Sequence, residues 1–418
     1  MARGRILLLM TLAGLLGACR PQLPAAVDYP YYAYRNSLSL ELLRVERTDT
    51  ATVLSLRGYY RPGWWITIDS LSFLYADGRR CALHGAEGIV PGTHKYIREA
   101  ETPGEGWVAF RLFFDPLPAQ AVRCDFLEGE SAGAFQMLGI DLTGRPVQIA
   151  AGADGNPAED RLPAASREPG TTTIRIHLPV EGPWTETISG DVLVEGRRPG
   201  VVRQLPVFFD RDGVAEVRFK QTRTSAARIS LGIGTSQVSC WTKPGETADI
   251  YWVPNSRFLT IQRLDLQEAE VPHIRYEGAY AAVNAQYGQF PAYRLDLSAP
   301  DLFRGVRTGA EFSARVERRY AALRARLDAD TALTPLQRDL SEVLLKGDVL
   351  RAMCAAEDIL RLQYALEHGT DAGYSPVVLT DADFAWLSAL DLSDSRLLFC
   401  DATEHLADPR IRRLTDSK

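Results

Sequence analysis

The chain has 418 residues, 46% of them hydrophobic and 24% charged, with a formal net charge of −6. This composition excludes a disordered polyelectrolyte, and the length provides for about two or three domains. The mild negative charge, without a Lys/Arg run, excludes the electrostatic footprint of a nucleic-acid binder.

The chain opens MARGRILLLMTLAGLLGACRPQ. Arg3 and Arg5 form a basic n-region, and Ile6–Leu16 is an apolar run too short to span a bilayer. Leu16-Gly17-Ala18-Cys19 resembles the lipobox of bacterial lipoproteins. The resemblance implies that residues 1–18 are a cleaved signal peptide and that Cys19 carries the lipid. More than one acyl chain would make the membrane anchor stable. Residue 20 is Arg, not the Asp that holds enteric lipoproteins at the inner membrane, so the expected address is the outer membrane, facing the periplasm. No later stretch is long and apolar enough to cross a membrane.

Residues 19–35 read as a tether with a Tyr-rich end. From Ser37 the hydrophobic period is two. The runs SLELLRVERT, ATVLSLRG, SLSFLYA, RRCALHG, GWVAFRLFF and AVRCDFLEG predict short strands, with Ala76-Asp77-Gly78-Arg79 as a hairpin turn. Val108, Phe110, Leu112 and Phe114 should form one apolar face. This spacing predicts an antiparallel β-sandwich over residues 36–149. Residues 150–170 are rich in Ala, Pro, Gly and acids, have no period, and read as a linker. TTTIRIHLPV, GDVLVEG, AEVRFKQT, ARISLGIG, QVSCWTK and ADIYWVP predict a second sandwich over residues 171–256.

Residues 257–418 turn helical. Thr308-Gly309-Ala310-Glu311 is a capping box. Thr334-Pro335-Leu336-Gln337 is another, with Pro at the first helical position. The helix behind it should run toward Gly369, with a break near Gly347. The expected fold class is α+β: two antiparallel β-sandwich-like domains followed by a helical region.

Chemical motifs are sparse. Gly129-Glu130-Ser131-Ala132-Gly133 has the G-x-S-x-G spacing of a nucleophile elbow. An elbow needs a long helix behind it, but Gly139 cuts the following run and GIDLTG returns to β. Ser131 is therefore read as a turn residue and no catalytic residue is assigned. His84 and His94 lack partners at metal-ligand spacing, so no metal or cofactor is expected. Five cysteines follow Cys19, an odd number, and no C-x-x-C occurs. Cys81 and Cys124 lie in strand runs of one domain and are the candidate disulfide in an oxidising compartment, against the alternative of two buried thiols. Cys354 and Cys400 are single cysteines in a helical context and read as buried or paired thiols; of the five, Cys400, near the C-terminus, is the one that looks free to react. In GYYRPGWWI, Tyr59, Tyr60, Trp64 and Trp65 are candidate ligand-facing aromatics that would stack on sugars, or else fill a sandwich core.

The phrases YPYYAYRNS, YRPGWWI, FDPLP, FLEG and GAFQMLGIDLTG, the KPGET turn at Lys243–Thr247 and the helix start LTPLQRDL together resemble a known group. It is the non-catalytic N-terminal region of TlpA-type thiol–disulfide reductases, thioredoxin-family lipoproteins of the cell envelope. The resemblance implies two β-rich segments, a helical region, and then a thioredoxin domain bearing C-x-x-C. That motif is missing here, so no redox residue carries over. The reading is a lipid-anchored, non-catalytic binding or scaffolding module. The alternative is an accessory part of a thiol–disulfide oxidoreductase system, with a periplasmic thioredoxin-like reductase as partner. A third is a glycan-binding lipoprotein. A sugar binder should expose Trp64 and Trp65; a reductase accessory should bury them and offer an apolar patch near residues 390–418.

Overall fold

The computed structural model describes residues 23–99, 106–129, 131, 133–147, 161–195, 201–232, 236–254, 274–287, 293–297, 299–400, 405–406 and 408–416. The signal segment and Cys19 lie outside the described residues.

The first unit is one long antiparallel sheet folded over a shared core. Ala26–Asp28, Leu40–Arg47, Thr52–Tyr59, Gly106–Phe114 and Arg79–Glu87 pair in that order. Arg79–Glu87 also pairs with Phe73–Ala76, and the sheet continues through Arg123–Leu127, Gln136–Asp141 and Tyr34–Arg35. The two halves face each other. Leu54, Leu56, Leu112 and Phe114 of one half share a core with Leu74, Phe126, Met137 and Ile140 of the other. The Phe114 and Phe126 rings meet edge to face at 6.1 Å. Phe110, Leu112 and Phe114 are buried as their alternation requires, while Val108 is only half-buried. At the hairpin between Phe73–Ala76 and Arg79–Glu87, Asp77 and Gly78 have φ of 49° and 79°. Two successive positive φ values are the signature of the type I′ turn.

The second unit is a sandwich of two four-stranded sheets. Val214–Gln221, Gly170–His177, Thr247–Trp252 and Ile274–Glu277 form one. Val202–Phe208, Ser189–Glu195, Ser225–Leu231 and Ser236–Thr242 form the other. All pairings are antiparallel except that of Gly170–His177 with Thr247–Trp252. The two units dock through apolar surface. Ala33, Tyr34, Leu138 and Val147 of the first belong to the core of the second. Trp184 packs on Phe73 and Tyr75, with centroids 5.2 and 5.9 Å apart.

The helical region comprises α1 (Ala281–Gln286), α2 (Pro300–Phe303), α3 (Gly309–Ala329), α4 (Pro335–Cys354), α5 (Ala356–His368), α6 (Asp381–Phe384) and α7 (Pro409–Asp416). Both capping boxes form: Thr308 with Glu311, and Thr334 with Gln337. Helix α4 is central, buried at Leu340, Val343, Leu345, Val349, Leu350 and Met353. Its polar residues are tied as well. The buried Asp339 accepts from Arg161 Nε at 2.8 Å and from the backbone N–H of Leu162 at 3.1 Å. Asp348 does the same for Arg294 and Leu295. Asn284 on α1 joins the region to the second sandwich, its amide accepting from Trp241 N at 2.6 Å and donating to Trp241 O at 3.0 Å.

Four expected boundaries move. Ala26–Asp28 and Tyr34–Arg35 are strands of the first unit, so residues 19–35 are not tether throughout; strands of two or three residues show no period. Within 150–170, Leu162 is buried and Ser166 N donates to Thr224 Oγ1 at 2.9 Å, so the end of that linker is packed. The second sandwich does not stop at 256: Ile274–Glu277 is its final strand, so the helical region begins after it. Finally, α4 runs unbroken through Gly347, which is buried, and the helix breaks at Ala355. Gly369, with φ of 74°, then ends α5 as its left-handed cap.

Candidate functional site

The GYYRPGWWI segment leaves the strand Thr52–Tyr59 and turns at once. Trp64 N donates to Arg61 O at 3.1 Å, and Gly63 has φ of 84°. Pro62 and Gly63 thus fill the second and third places of a type II turn, the residues those places demand. The turn delivers Trp64 and Trp65 to a short ribbon. There Trp65 pairs with Tyr96 and Ile66 with Lys95. Ile97 N donates to Trp64 O at 2.8 Å, and Gly63 N to Ile97 O at 3.0 Å. Ile66 and Ile97 anchor the ribbon in the core, 2% exposed each. Gly106 lies directly beneath: a Cβ there would come within 2.5 Å of Ile97 and 2.6 Å of Tyr60 O.

On this anchored base the rings stay in solvent. Trp64 is 59% exposed, Trp65 44% and Tyr96 62%. The His94 imidazole stacks on Trp65 at 3.7 Å and 17°, covering one ring face. Trp64 and Tyr96 are the open rings. Trp107, also exposed, lies under the Arg57 guanidinium at 4.9 Å. The four expected aromatics therefore separate. Tyr59 is buried, its hydroxyl donating to Glu41 Oε2 at 2.6 Å, and burial with that carboxylate pushes its pKa up to about 12. Tyr60 is half-buried against the core of the first unit. Only Trp64 and Trp65 face outward; strand pairing adds Tyr96 and His94, which local sequence did not indicate.

Ser131 is exposed on the connection between Arg123–Leu127 and Gln136–Asp141, which are antiparallel neighbours. Ala134 N donates to Ser131 O at 3.1 Å, and Gly133 has φ of 100°. This is a β-hairpin, with no helix behind the serine to build an elbow.

The five cysteines among the described residues are free thiols. The candidate Cys81–Cys124 disulfide is not formed. Leu74 pairs with both Cys81 and Phe126, and Cys124 lies two residues before Phe126 on its strand. The two cysteines thus share the core face but sit two strands apart, about 10 Å, beyond the reach of a disulfide. Burial pushes the Cys81 and Cys124 thiols up, and those of Cys240 and Cys354 up to about 12. Cys400, the one thiol whose position in the sequence looks free to react, is buried, 3% exposed, because Leu397–Cys400 folds into the helical core; its Sγ donates to Leu397 O. None of these groups resembles a poised thiolate, which needs a cationic, accessible setting. Among the described residues no cluster of three or more His, Cys, Asp or Glu could hold a metal ion, and no helix is long and apolar enough to cross a membrane.

No protein-family model matches the chain, and no curated protein sequence matches it. Among solved structures, it is similar to pullulanase type I from Bacillus subtilis str. 168 complexed with maltose. Identity is 11% and the TM-score 0.20, over 48% of this chain and 24% of that one. It is also similar to pullulanase from Anoxybacillus sp. LM18-11 complexed with maltotriose, at 11% identity and a TM-score of 0.19, over 48% and 25%. The chain spans about a quarter of the length of these proteins, and scores this low identify no common fold.

Proposed function

We propose that this chain is a lipid-anchored, non-catalytic binding module of the cell envelope whose ligand is a glycan held on the Trp64–Trp65–Tyr96 face. The observation that carries this reading is the exposure of Trp64 and Trp65 on a ribbon that the core anchors. A rigid, solvent-facing aromatic surface suits the apolar faces of sugar rings, and a fixed ring loses little entropy on binding. Exposure also disfavours the reductase-accessory reading, which calls for these rings to be buried. The described part of region 390–418 argues the same way, because Leu390, Leu392 and Leu397–Cys400 are buried within this chain, Phe399 packing on Trp241 of the second sandwich at 5.4 Å.

The test is a neutral-oligosaccharide microarray probed with the chain from residue 20 onward, followed by calorimetry on each hit. At least one glycan should bind. Trp64→Ala combined with Tyr96→Ala should weaken it tenfold or more, about 1.4 kcal/mol. Phe208→Ala, which removes an exposed ring of the second sandwich, should leave binding unchanged. An empty array, or equal affinity in the double variant, would overturn the reading. The anchor is tested separately. Cys19→Ser in the full-length chain should shift the protein from the membrane to the soluble fraction and abolish acyl labelling; a variant that stays membrane-bound and labelled would refute lipidation at Cys19.

A further inference from the structure

We infer that the cleft between the second sandwich and the helical region binds a small organic oxyanion with a flat apolar body. This site is remote in sequence from the aromatic face and does not depend on it. The cleft holds a cavity of about 510 Å³, within the usual range of small-molecule sites, and it lies at a domain boundary, where such sites concentrate.

Its floor is the outer face of one sheet of the sandwich. Arg228 pairs with both Leu193 and Ser239, and Ala226 with Trp241, so alternation places these side chains on one face. Their neighbours Ala227, Ile229 and Cys240 point into the sandwich core. The opposite wall comes from the helical region: Tyr287 after α1, Arg351 in the last turn of α4, and Leu398. Trp241 and Tyr287 meet edge to face at 5.7 Å, giving two aromatic walls at an angle.

Charge sets the ligand class. The cavity is lined by two arginines and one carboxylate, Glu195. Arg223 already neutralises Glu195 through two hydrogen bonds, one of them Nε to Oε2 at 3.2 Å. Neither Arg228 nor Arg351 has an ion pair or a side-chain hydrogen bond among the described residues. Arg351 is half-buried, and in this region that is unusual. Arg294 is matched to Asp348, Arg324 to Asp328 and Glu342, Arg396 to Asp394, and Arg410 to Asp408. A half-buried guanidinium without a partner among the described residues, lining an aromatic-walled cavity with a second one, is complementary to a carboxylate or similar oxyanion on a planar apolar group.

The probes are 1-naphthoate and its neutral counterpart 1-naphthamide, measured by calorimetry. Naphthoate should bind one per chain, at least tenfold more tightly than the amide, and more weakly as salt rises. Arg228→Ala with Arg351→Ala should remove that preference, lowering naphthoate affinity tenfold or more while leaving the amide unchanged. Arg228→Lys with Arg351→Lys should keep part of it, which separates lost charge from lost folding. Ala226→Trp, which fills the cavity, should abolish both. The inference fails if naphthoate does not bind, if acid and amide bind equally, or if the alanine double variant binds naphthoate like the parent chain.

Discussion

Asp348→Ala should lower the stability of the helical region by about 3–4 kcal/mol. Asp348 is 2% exposed on α4. Its carboxylate accepts two bonds from Arg294, Nε to Oδ2 and Nη2 to Oδ1, both 2.7 Å, and a third from the buried Leu295 N–H at 3.0 Å. It is the residue that fastens the incoming segment 293–297 to the central helix. Alanine would leave the Leu295 amide without a partner, costing about 1–3 kcal/mol, and a guanidinium without its counter-ion. The Arg294 side chain is 37% exposed and can turn to water, which keeps the total below the upper limit for broken buried pairs. Asp348→Asn retains one acceptor and should cost about half as much. Urea unfolding followed at 222 nm measures both. A loss under about 1 kcal/mol for the alanine variant would mean that packing, not this carboxylate, holds the segment.

That ion pair illustrates what the sequence does not disclose. The chain separation between Arg161 and Asp339 is 178 residues, and between Arg294 and Asp348 it is 54. No local pattern links such partners, whereas Asp77-Gly78 and the Thr308 and Thr334 caps are legible because turn and cap chemistry are contained within four residues. The two-layer β architecture was readable for the same reason: alternation over six to nine residues leaves a clear period. Ala26–Asp28, Tyr34–Arg35 and Ile274–Glu277 are too short to leave one, and the boundaries moved at those points. The candidate site was half legible. Pro62-Gly63 marks the turn that presents Trp64 and Trp65. The pairing that adds Tyr96, and the burial of Tyr59 against Glu41, are decided by tertiary contacts. The cleft had no sequence signal, because Arg228 and Arg351 line one cavity only through the packing of two domains.

Asp125→Asn should stabilise the protein at pH 7 by about 1–2 kcal/mol and leave it nearly unchanged near pH 3.5. Asp125 lies opposite Tyr75 in the sheet, so alternation puts it on the outer face with Tyr75 and Phe73, the rings covered by Trp184 of the second sandwich. Its carboxyl is half-buried on that face, and the hydrogen bond from Gly139 N at 2.8 Å compensates only in part. Desolvation therefore raises its pKa from 3.8 to about 6. A raised acid binds its proton more tightly in the folded state, so its contribution to stability is complete below 3.8 and is lost as pH climbs through 6. At pH 7 the folded protein carries an ionised group in a poorly hydrated place. A displacement of about two pH units, at about 1.4 kcal/mol each, sets the ceiling on what neutralisation can recover. Asparagine keeps an oxygen that can accept from Gly139 N, so the substitution removes the charge and little else. Denaturant titrations of both chains between pH 3.5 and 7.5 should diverge with rising pH, asparagine above aspartate. Parallel curves, or an asparagine variant less stable at pH 7, would show that water reaches Asp125 and that the interface between the sandwiches opens in solution.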